Sequence, residues 1–296
     1  MIAILAVLAM STATTSVAGP TVQGLDHVPV AVADLDQAAA DFGRLGFVLK
    51  PGRPHTNGLG NRHVKFPNGG GIELITASNP GDDLAREYAE WLKGGDGPAF
   101  WSLFSPDLQG LTAILKGQGL KAENEGGVVT VQQGPAASRL FFGSRQRSPT
   151  DGPIYWNHPN TAYRLAGVWL SGNAPDLTLL STLGVRPAGL SRCSPFDRKA
   201  AVFRLSMEGE QVLVARGVSR APERSIIGLT VAVRDLQAAR AVLTANHVEV
   251  VTAPACGSHS LWIPPAAAHD MWLELSDRTD GPASAVPYLI RQRSRK

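Results

Sequence analysis

Two residues inside strand-like runs carry the chemistry this sequence offers: His27 in Leu25-Asp26-His27-Val28-Pro29-Val30-Ala31-Val32, and Glu73 in Gly71-Ile72-Glu73-Leu74-Ile75-Thr76. Side chains of an extended segment alternate between faces, so Val28, Val30 and Val32 point one way while Leu25, His27, Pro29 and Ala31 point the other. The same alternation sets Ile72 and Leu74 on one face and projects Glu73 to the opposite one with Ile75. An imidazole and a carboxylate are groups that move protons, and both stand opposite a face made for packing. Other polar candidates sit in loops. His55 and Asn61 lie in a glycine-rich stretch that would lean over the open face, and His158 stands in Trp156-Asn157-His158-Pro159-Asn160. Trp101 and Trp156 are candidates for lining an apolar pocket, although a strand tryptophan also serves simply as core. Each has a plain alternative: His27 packed beside a strand neighbour, Glu73 on an exposed sheet face, the others as surface loop residues. His63, His247, His259 and His269 fall in no pattern and are read as surface or core.

Positioning His27 and Glu73 requires a compact unit. Asp34 stands where a helix N-cap belongs, and Leu35, Ala38, Ala39 and Phe42 recur at helical spacing until Gly46, which predicts a helix over residues 34–45. Residues 47–49 return as a strand, a polar loop covers 51–60, and strands at 63–66 and 71–76 are joined by the turn Asn68-Gly69-Gly70. The unit over residues 24–77 is βαβββ. Several enzyme classes lack their signatures: the sequence has no Walker loop, no Rossmann glycine fingerprint, no G-x-S-x-G elbow and no HExxH.

The order "DHVPVAV", "DLDQAAADFGRLGF", "GGIELIT" resembles the vicinal oxygen chelate superfamily, whose glyoxalase-like members repeat this module; "GRPH", "GLGN" and "WNHPNTA" resemble its tandem-module branch. The resemblance implies a divalent metal, Fe, Mn, Ni or Zn, held by a His on the first strand and a Glu on the last strand of a module, here His27 and Glu73. It also implies a metal-dependent lyase, isomerase or dioxygenase acting on a small chelating substrate. On this reading Glu73 and His55 are the catalytic candidates, and Asn61, Trp101, Trp156 and His158 the substrate-binding ones. The alternative is a non-catalytic protein that sequesters a small molecule in the same cup.

The pattern recurs along the chain. An offset of 201 turns Asp34-Leu35 into Asp235-Leu236 and Glu73 into Glu274, with a strand expected in 247–252 after the helix. Asp107-Leu108 and Asp176-Leu177 head two further copies, giving modules at about 22–78, 98–157, 163–216 and 225–276. The expected fold class is therefore α+β, four βαβββ modules forming two curved-sheet domains over 20–160 and 161–276, with an extra amphipathic helix carrying Leu84, Tyr88 and Trp91 between the first two modules. In the second module the expected last strand lies at 154–156, placing Tyr155 and its neighbours where Glu73 stands in the first. A module exposes one sheet face and must pair with another, either sequentially or first with fourth. Phe100, Trp169 and Gly228 replace His27 in the later modules, so only first-to-fourth pairing would join His27, Glu73 and Glu274 into a three-ligand set.

A chain of 296 residues, 44% hydrophobic and 18% charged, has the composition of a folded protein with room for two cores. Its net charge of +3 is concentrated in residues 291–296, which hold four of the positive charges; this C-terminal tail, 277–296, reads as a solvated end with no nucleic-acid partner. Residues 2–10 are apolar and small residues follow to 18, as in a secretory signal ending near residue 19, although no Lys or Arg precedes the run. The expected location is periplasmic or secreted, with cytoplasmic as the alternative. The run is too short for stable membrane insertion. Cys193 and Cys256 are either a disulfide of an exported protein or two unrelated thiols. The expected partner is a small molecule, for a monomer or homodimer.

Overall fold

A computed structural model describes residues 21–53, 55–132, 139–196, 198–205 and 209–278; the apolar N-terminal run and the basic C-terminal run lie outside the described residues. The chain opens with β1 (Gly24–Leu25), β2 (His27–Ala31), α1 (Leu35–Arg44), β3 (Lys50–Pro51), β4 (Leu59–Lys65) and β5 (Gly71–Ala77). The Asp34 carboxylate starts α1 by accepting from the N–H groups of Asp36 and Gln37 at 3.0 and 2.9 Å, donors that no helical carbonyl reaches. Helix α2 (Asp83–Leu92), capped by Asp82, leads to β6 (Gly97–Pro98), β7 (Trp101–Phe104), α3 (Leu108–Gly117), β8 (Lys121–Glu125), β9 (Val128–Gln132) and β10 (Leu140–Gly143). The remainder comprises β11 (Ala162–Ser171), α4 (Asp176–Thr182), β12 (Pro187–Ser191), β13 (Ala200–Arg204), β14 (Gln211–Ala215), β15 (Ile226–Val233), α5 (Leu236–Ala245), β16 (Ser260–Ile263) and β17 (Trp272–Ser276).

The strands form three curved sheets in a mixed α+β fold. One runs β3-β4-β5-β2-β6 and another β1-β7-β10-β9-β8. These two exchange two-residue strands, β6 pairing antiparallel with β2 and β1 with β7. The third, β12-β13-β14-β11-β15-β17-β16, is one seven-stranded sheet joined through the antiparallel β11–β15 pair. Strands of residues 24–143 thus make up the first two sheets, and strands of residues 162–276 the third. Val28, Val30 and Val32 pack with Ala38, Phe42, Ile72 and Leu74 in one continuous core, which leaves the opposite face of β2, β4 and β5 free to line a cup.

Three local expectations are corrected. Tyr155 does not lie in a strand: Pro153 cannot donate to a ladder, and Pro153–Tyr155 is a 3-10 turn closed by Tyr155 N–H on the Gly152 carbonyl at 2.9 Å. Residues 247–252 contribute only an isolated bridge between Val251 and Trp262. Asp176 does not cap its helix. It is wholly buried and accepts from Trp101 Nε1 and the Arg139 N–H, both at 3.1 Å, because those buried donors need an acceptor. Trp101 is thereby a core residue hydrogen-bonded away from any pocket, not a substrate contact. Among the described residues, no helix is long and apolar enough to cross a membrane.

Candidate functional site

Register brings the site together. In the parallel β2–β5 ladder His27 faces Gly71 and Pro29 faces Glu73; in the antiparallel β4–β5 ladder His63 faces Glu73 and Asn61 faces Ile75. His27, Glu73, His63 and Asn61 therefore project from three adjacent strands onto one face. His27 Nε2 lies 3.7 Å from Glu73 Oε2. Each side chain is held from behind: His27 Nδ1 lies 2.5 Å from Asp26 Oδ1, and Asn61 Nδ2 donates to Glu73 Oε1 at 2.6 Å. Asp26 Oδ2 in turn accepts from the Arg145 N–H at 2.6 Å.

The electrostatics follow from this packing. Burial works to raise the Asp26 carboxyl, but the His27 hydrogen bond and charge, with the Arg145 N–H, outweigh it and hold Asp26 below the ordinary carboxylate range. Burial likewise works to lower His27, and Asp26, then Glu73, outweigh it, so His27 sits above the usual histidine value. Burial lowers His63, against the opposing pull of Glu73. With Nδ1 committed to Asp26, Nε2 is the nitrogen presented to the cup.

This donor set fits a divalent cation. Two atoms each about 2.1 Å from one ion stand at most about 4.2 Å apart, and the 3.7 Å separation of Nε2 and Oε2 falls within that limit. A carboxylate behind a histidine is the arrangement that fixes the ring of a metal ligand.

The pair opens into a cavity of about 1110 Å³ lined also by His55, Asn61, Leu84, Tyr88, Phe100 and Phe141. Helix α2 supplies one wall: Tyr88 is buried, meets Phe100 edge-on at 5.3 Å, and its phenol is raised well above 10, first by burial and then by the charges of Glu73 and Glu87. The second module supplies the facing wall. Ser102 faces Phe141 in the β7–β10 ladder as Pro29 faces Glu73 in the first, so Phe100 and Phe141 occupy the places of His27 and Glu73. The Phe141 ring stands 5.2 Å from that of His27, edge to face.

Glu274 is not brought to this site. It faces Thr230 in the β15–β17 ladder of the seven-stranded sheet, where it is fully buried and accepts from Thr230 Oγ1 at 2.7 Å and Ser260 Oγ at 2.5 Å. Burial raises its carboxyl. Trp169 and Trp262, with centroids 5.4 Å apart, and the Cys193–Cys256 disulfide fill that second cup. Among the described residues the one close trio of metal-ligating types is Cys193, Cys256 and Glu274, and its sulfurs are bonded to each other. Glu274 therefore does not join His27 and Glu73 as a metal ligand; equivalent position in a repeat does not mean membership of the same cup.

Two substrate candidates are corrected as well. His158 is buried between the Phe47 and Phe66 rings, its Nδ1 accepting from the Val48 N–H and its Nε2 donating to the Lys65 carbonyl, both at 3.0 Å. It fastens the segment after α1 to the end of β4 and has no free nitrogen for a ligand. Trp156 lies outside the cavity lining, half-buried under the Arg147 guanidinium at 5.9 Å. His55 and Asn61 do line the cavity, His55 from an exposed loop.

Three participants escape a reading by motif. His63 is legible from the hairpin, because residues equidistant from Asn68 face each other, 63 with 73. Asp26 is marked by a charge where alternation calls for a core residue. Tyr88 carries no such mark, since its helix has no counterpart in the other modules.

Comparison with known proteins agrees with this architecture. Residues 25–181, more than half of the chain, match the family model described as a glyoxalase-like domain. No curated protein matches the chain in sequence. Among solved structures, catechol 2,3-dioxygenase aligns with a TM-score of 0.62 at 14% identity over 91% of this chain and 92% of the other. The 2,3-dioxygenase LapB from Pseudomonas sp. KL28 gives 0.60 at 15% identity over 91% and 95%, and a hypothetical protein from Staphylococcus aureus gives 0.58 at 12% over 85% and 98%. At such identities the likeness concerns the fold. Matched family model, curved sheets and strand order together place this chain in the glyoxalase-like domain family of the vicinal oxygen chelate superfamily.

Proposed function

We propose that the first cup binds one divalent metal ion through His27 Nε2 and Glu73 Oε2, and that the protein is a metal-dependent lyase, isomerase or dioxygenase acting on a small substrate that chelates through two oxygens. The observation that carries this is the facing pair at 3.7 Å, each member oriented from behind, on the floor of a large and mainly apolar cavity. When bound, such an ion polarises substrate oxygens. The chain's own residues do the rest. Asp26 and Asn61 fix the two ligands, and Phe100 and Phe141 exclude water from one side. The Tyr88 phenol, kept protonated by its surroundings, lines the cavity as a donor for a bound substrate, and His55 stands on the rim as the second catalytic candidate.

A second reading is a sequestering protein without turnover. It is favoured by Phe100 and Phe141, which stand where a second module would otherwise add ligands; two protein ligands alone hold a metal weakly. Metal analysis of the purified protein beside His27→Ala and Glu73→Gln separates the two. Stoichiometric metal in the wild type and its loss from both variants are expected, whereas a metal-free wild type that still binds small hydrophobic compounds would overturn the enzyme reading.

The Cys193–Cys256 disulfide supports export to an oxidising compartment. Mass spectrometry of protein from its native host is expected to find an amino terminus near residue 19, and an intact Met1 would remove this part of the proposal.

A further inference from the structure

We infer that Glu210, from the C-terminal half of the chain, is a positioning residue for His27, acting through Arg145 and Asp26. The contacts form an unbroken sequence. Glu210 is fully buried and takes the Arg145 guanidinium on both oxygens, at 2.8 and 2.7 Å. The same guanidinium donates twice to the Leu25 carbonyl, at 2.8 and 2.6 Å, while the Leu25 N–H donates to Glu210 Oε2 at 2.6 Å. The peptide groups on both sides of Leu25, immediately ahead of Asp26 and His27, are thus clamped by one ion pair. Arg145 also gives its own N–H to Asp26 Oδ2 at 2.6 Å, and Asp26 Oδ1 holds His27 Nδ1 at 2.5 Å. Both supports of the His27 ring, its carboxylate partner and its preceding backbone, run through Arg145.

Two features mark this as a built arrangement. Arg145 adopts φ 51, a left-handed conformation that a side chain of this size keeps only when its surroundings enforce it; here the enforced conformation aims the N–H at Asp26 and the guanidinium back at Leu25. Glycines also stand at the three places where any side chain would break the sequence of contacts. An added Cβ would lie 2.5 Å from Asp26 Oδ2 at Gly143, 2.0 Å from Glu210 Oε2 at Gly24, and 2.9 Å from the Arg145 carbonyl oxygen at Gly69. The C-terminal half, whose own cup is filled by tryptophans and a disulfide, thereby takes part in the geometry of the first cup.

The inference rests on the metal-site reading for one of its two readouts only. Glu210→Gln removes the ion pair, and Arg145→Gly deletes the guanidinium while tolerating the left-handed backbone. Glu274→Gln is the control, a buried carboxylate remote from His27. In metal-free full-length protein at fixed pH, the ring nitrogen resonances of His27, assigned by their loss in His27→Ala, are expected to shift in Glu210→Gln and Arg145→Gly and to stay in place in Glu274→Gln. Calorimetric titration with Mn²⁺ is expected to show affinity lowered by about 10- to 100-fold in the same two variants, the size of effect seen when outer partners of a metal ligand are lost. Unchanged His27 resonances in folded Glu210→Gln and Arg145→Gly, or an equal change in Glu274→Gln, would overturn the inference. A wild type that takes no Mn²⁺ while the resonances still shift would sink the metal reading and leave the positioning role standing.

Discussion

Replacing Cys193 and Cys256 together by alanine is expected to lower the stability of the folded protein by about 4 kcal/mol. The bridge closes a loop with a sequence separation of 63, and the chain-entropy relation for a loop of that length gives this magnitude at room temperature. It ties the segment after β12 to the 3-10 turn before β16, so it links the two outer arms of the seven-stranded sheet. Cys256 Sγ also accepts the Trp262 Nε1 hydrogen bond at 3.3 Å, a partner that alanine cannot replace inside an aromatic cluster. Urea unfolding of the oxidised wild type, the reduced wild type and the double variant measures the effect. Both of the last two should fall below the first, the double variant the lower of them because it also lacks the sulfur acceptor for Trp262; a difference below about 1 kcal/mol between the oxidised and reduced wild type would show that the unfolded chain gains little freedom from opening this loop. Mn²⁺ titration should be indifferent to the change, because the bridge lies in the filled cup.

The fold was readable because it is written in local rules. Alternation in residues 25–32 and 71–76 separates a valine and leucine face from a face carrying His27 and Glu73, and both faces lie where the pattern puts them. Asp34, Asp107 and Asp235, each followed by leucine, all cap helices through their side chains. Asp176-Leu177 has the same spelling and does otherwise: Pro175 takes the cap position without a side-chain bond, and Asp176 turns inward to the buried donors of Trp101 and Arg139. A tertiary demand outweighs a cap worth about 1 kcal/mol.

The site was half readable, for a related reason. His27, Glu73, Asn61 and His55 reach one cavity because short-range register and loop placement decide them. Trp101 and His158 look like substrate contacts in the sequence because their true partners are remote: Asp176 is 75 residues from Trp101, and Val48 and Lys65 are 110 and 93 residues from His158. Residue type and local pattern say that an indole or imidazole needs a partner and leave open whether that partner is a substrate or the protein. Glu274 shows the same limit in a repeat, since the offset of 201 predicts its ladder position and is silent about which sheet surrounds it.

His158 makes the second large prediction, a dependence of stability on pH. Its Nδ1 faces the Val48 N–H and therefore carries no proton, while Nε2 carries one and donates it to the Lys65 carbonyl. Protonating Nδ1 would set two donors against each other in a site enclosed by Phe47 and Phe66. Burial accordingly lowers His158 from 6.5 to about 4, against a smaller opposing pull from the Lys65 carbonyl. The sign follows from linkage. Between pH 6.5 and 4 the unfolded chain binds a proton that the folded protein refuses, so this group's contribution is fully present above 6.5 and is lost as pH falls toward 4. A displacement of that size corresponds to about 3 kcal/mol. Other groups titrate over the same range, so the quantity to measure is the difference between wild type and His158→Gln, by urea unfolding at intervals from pH 7.5 to 4. The wild type should be the more stable at neutral pH, having two hydrogen bonds that glutamine reproduces poorly, and its advantage should shrink by about 3 kcal/mol across the window. A constant difference would mean that His158 takes up a proton in the folded state as readily as in the unfolded one, and that the segment after α1 and the end of β4 are held by something other than this neutral ring.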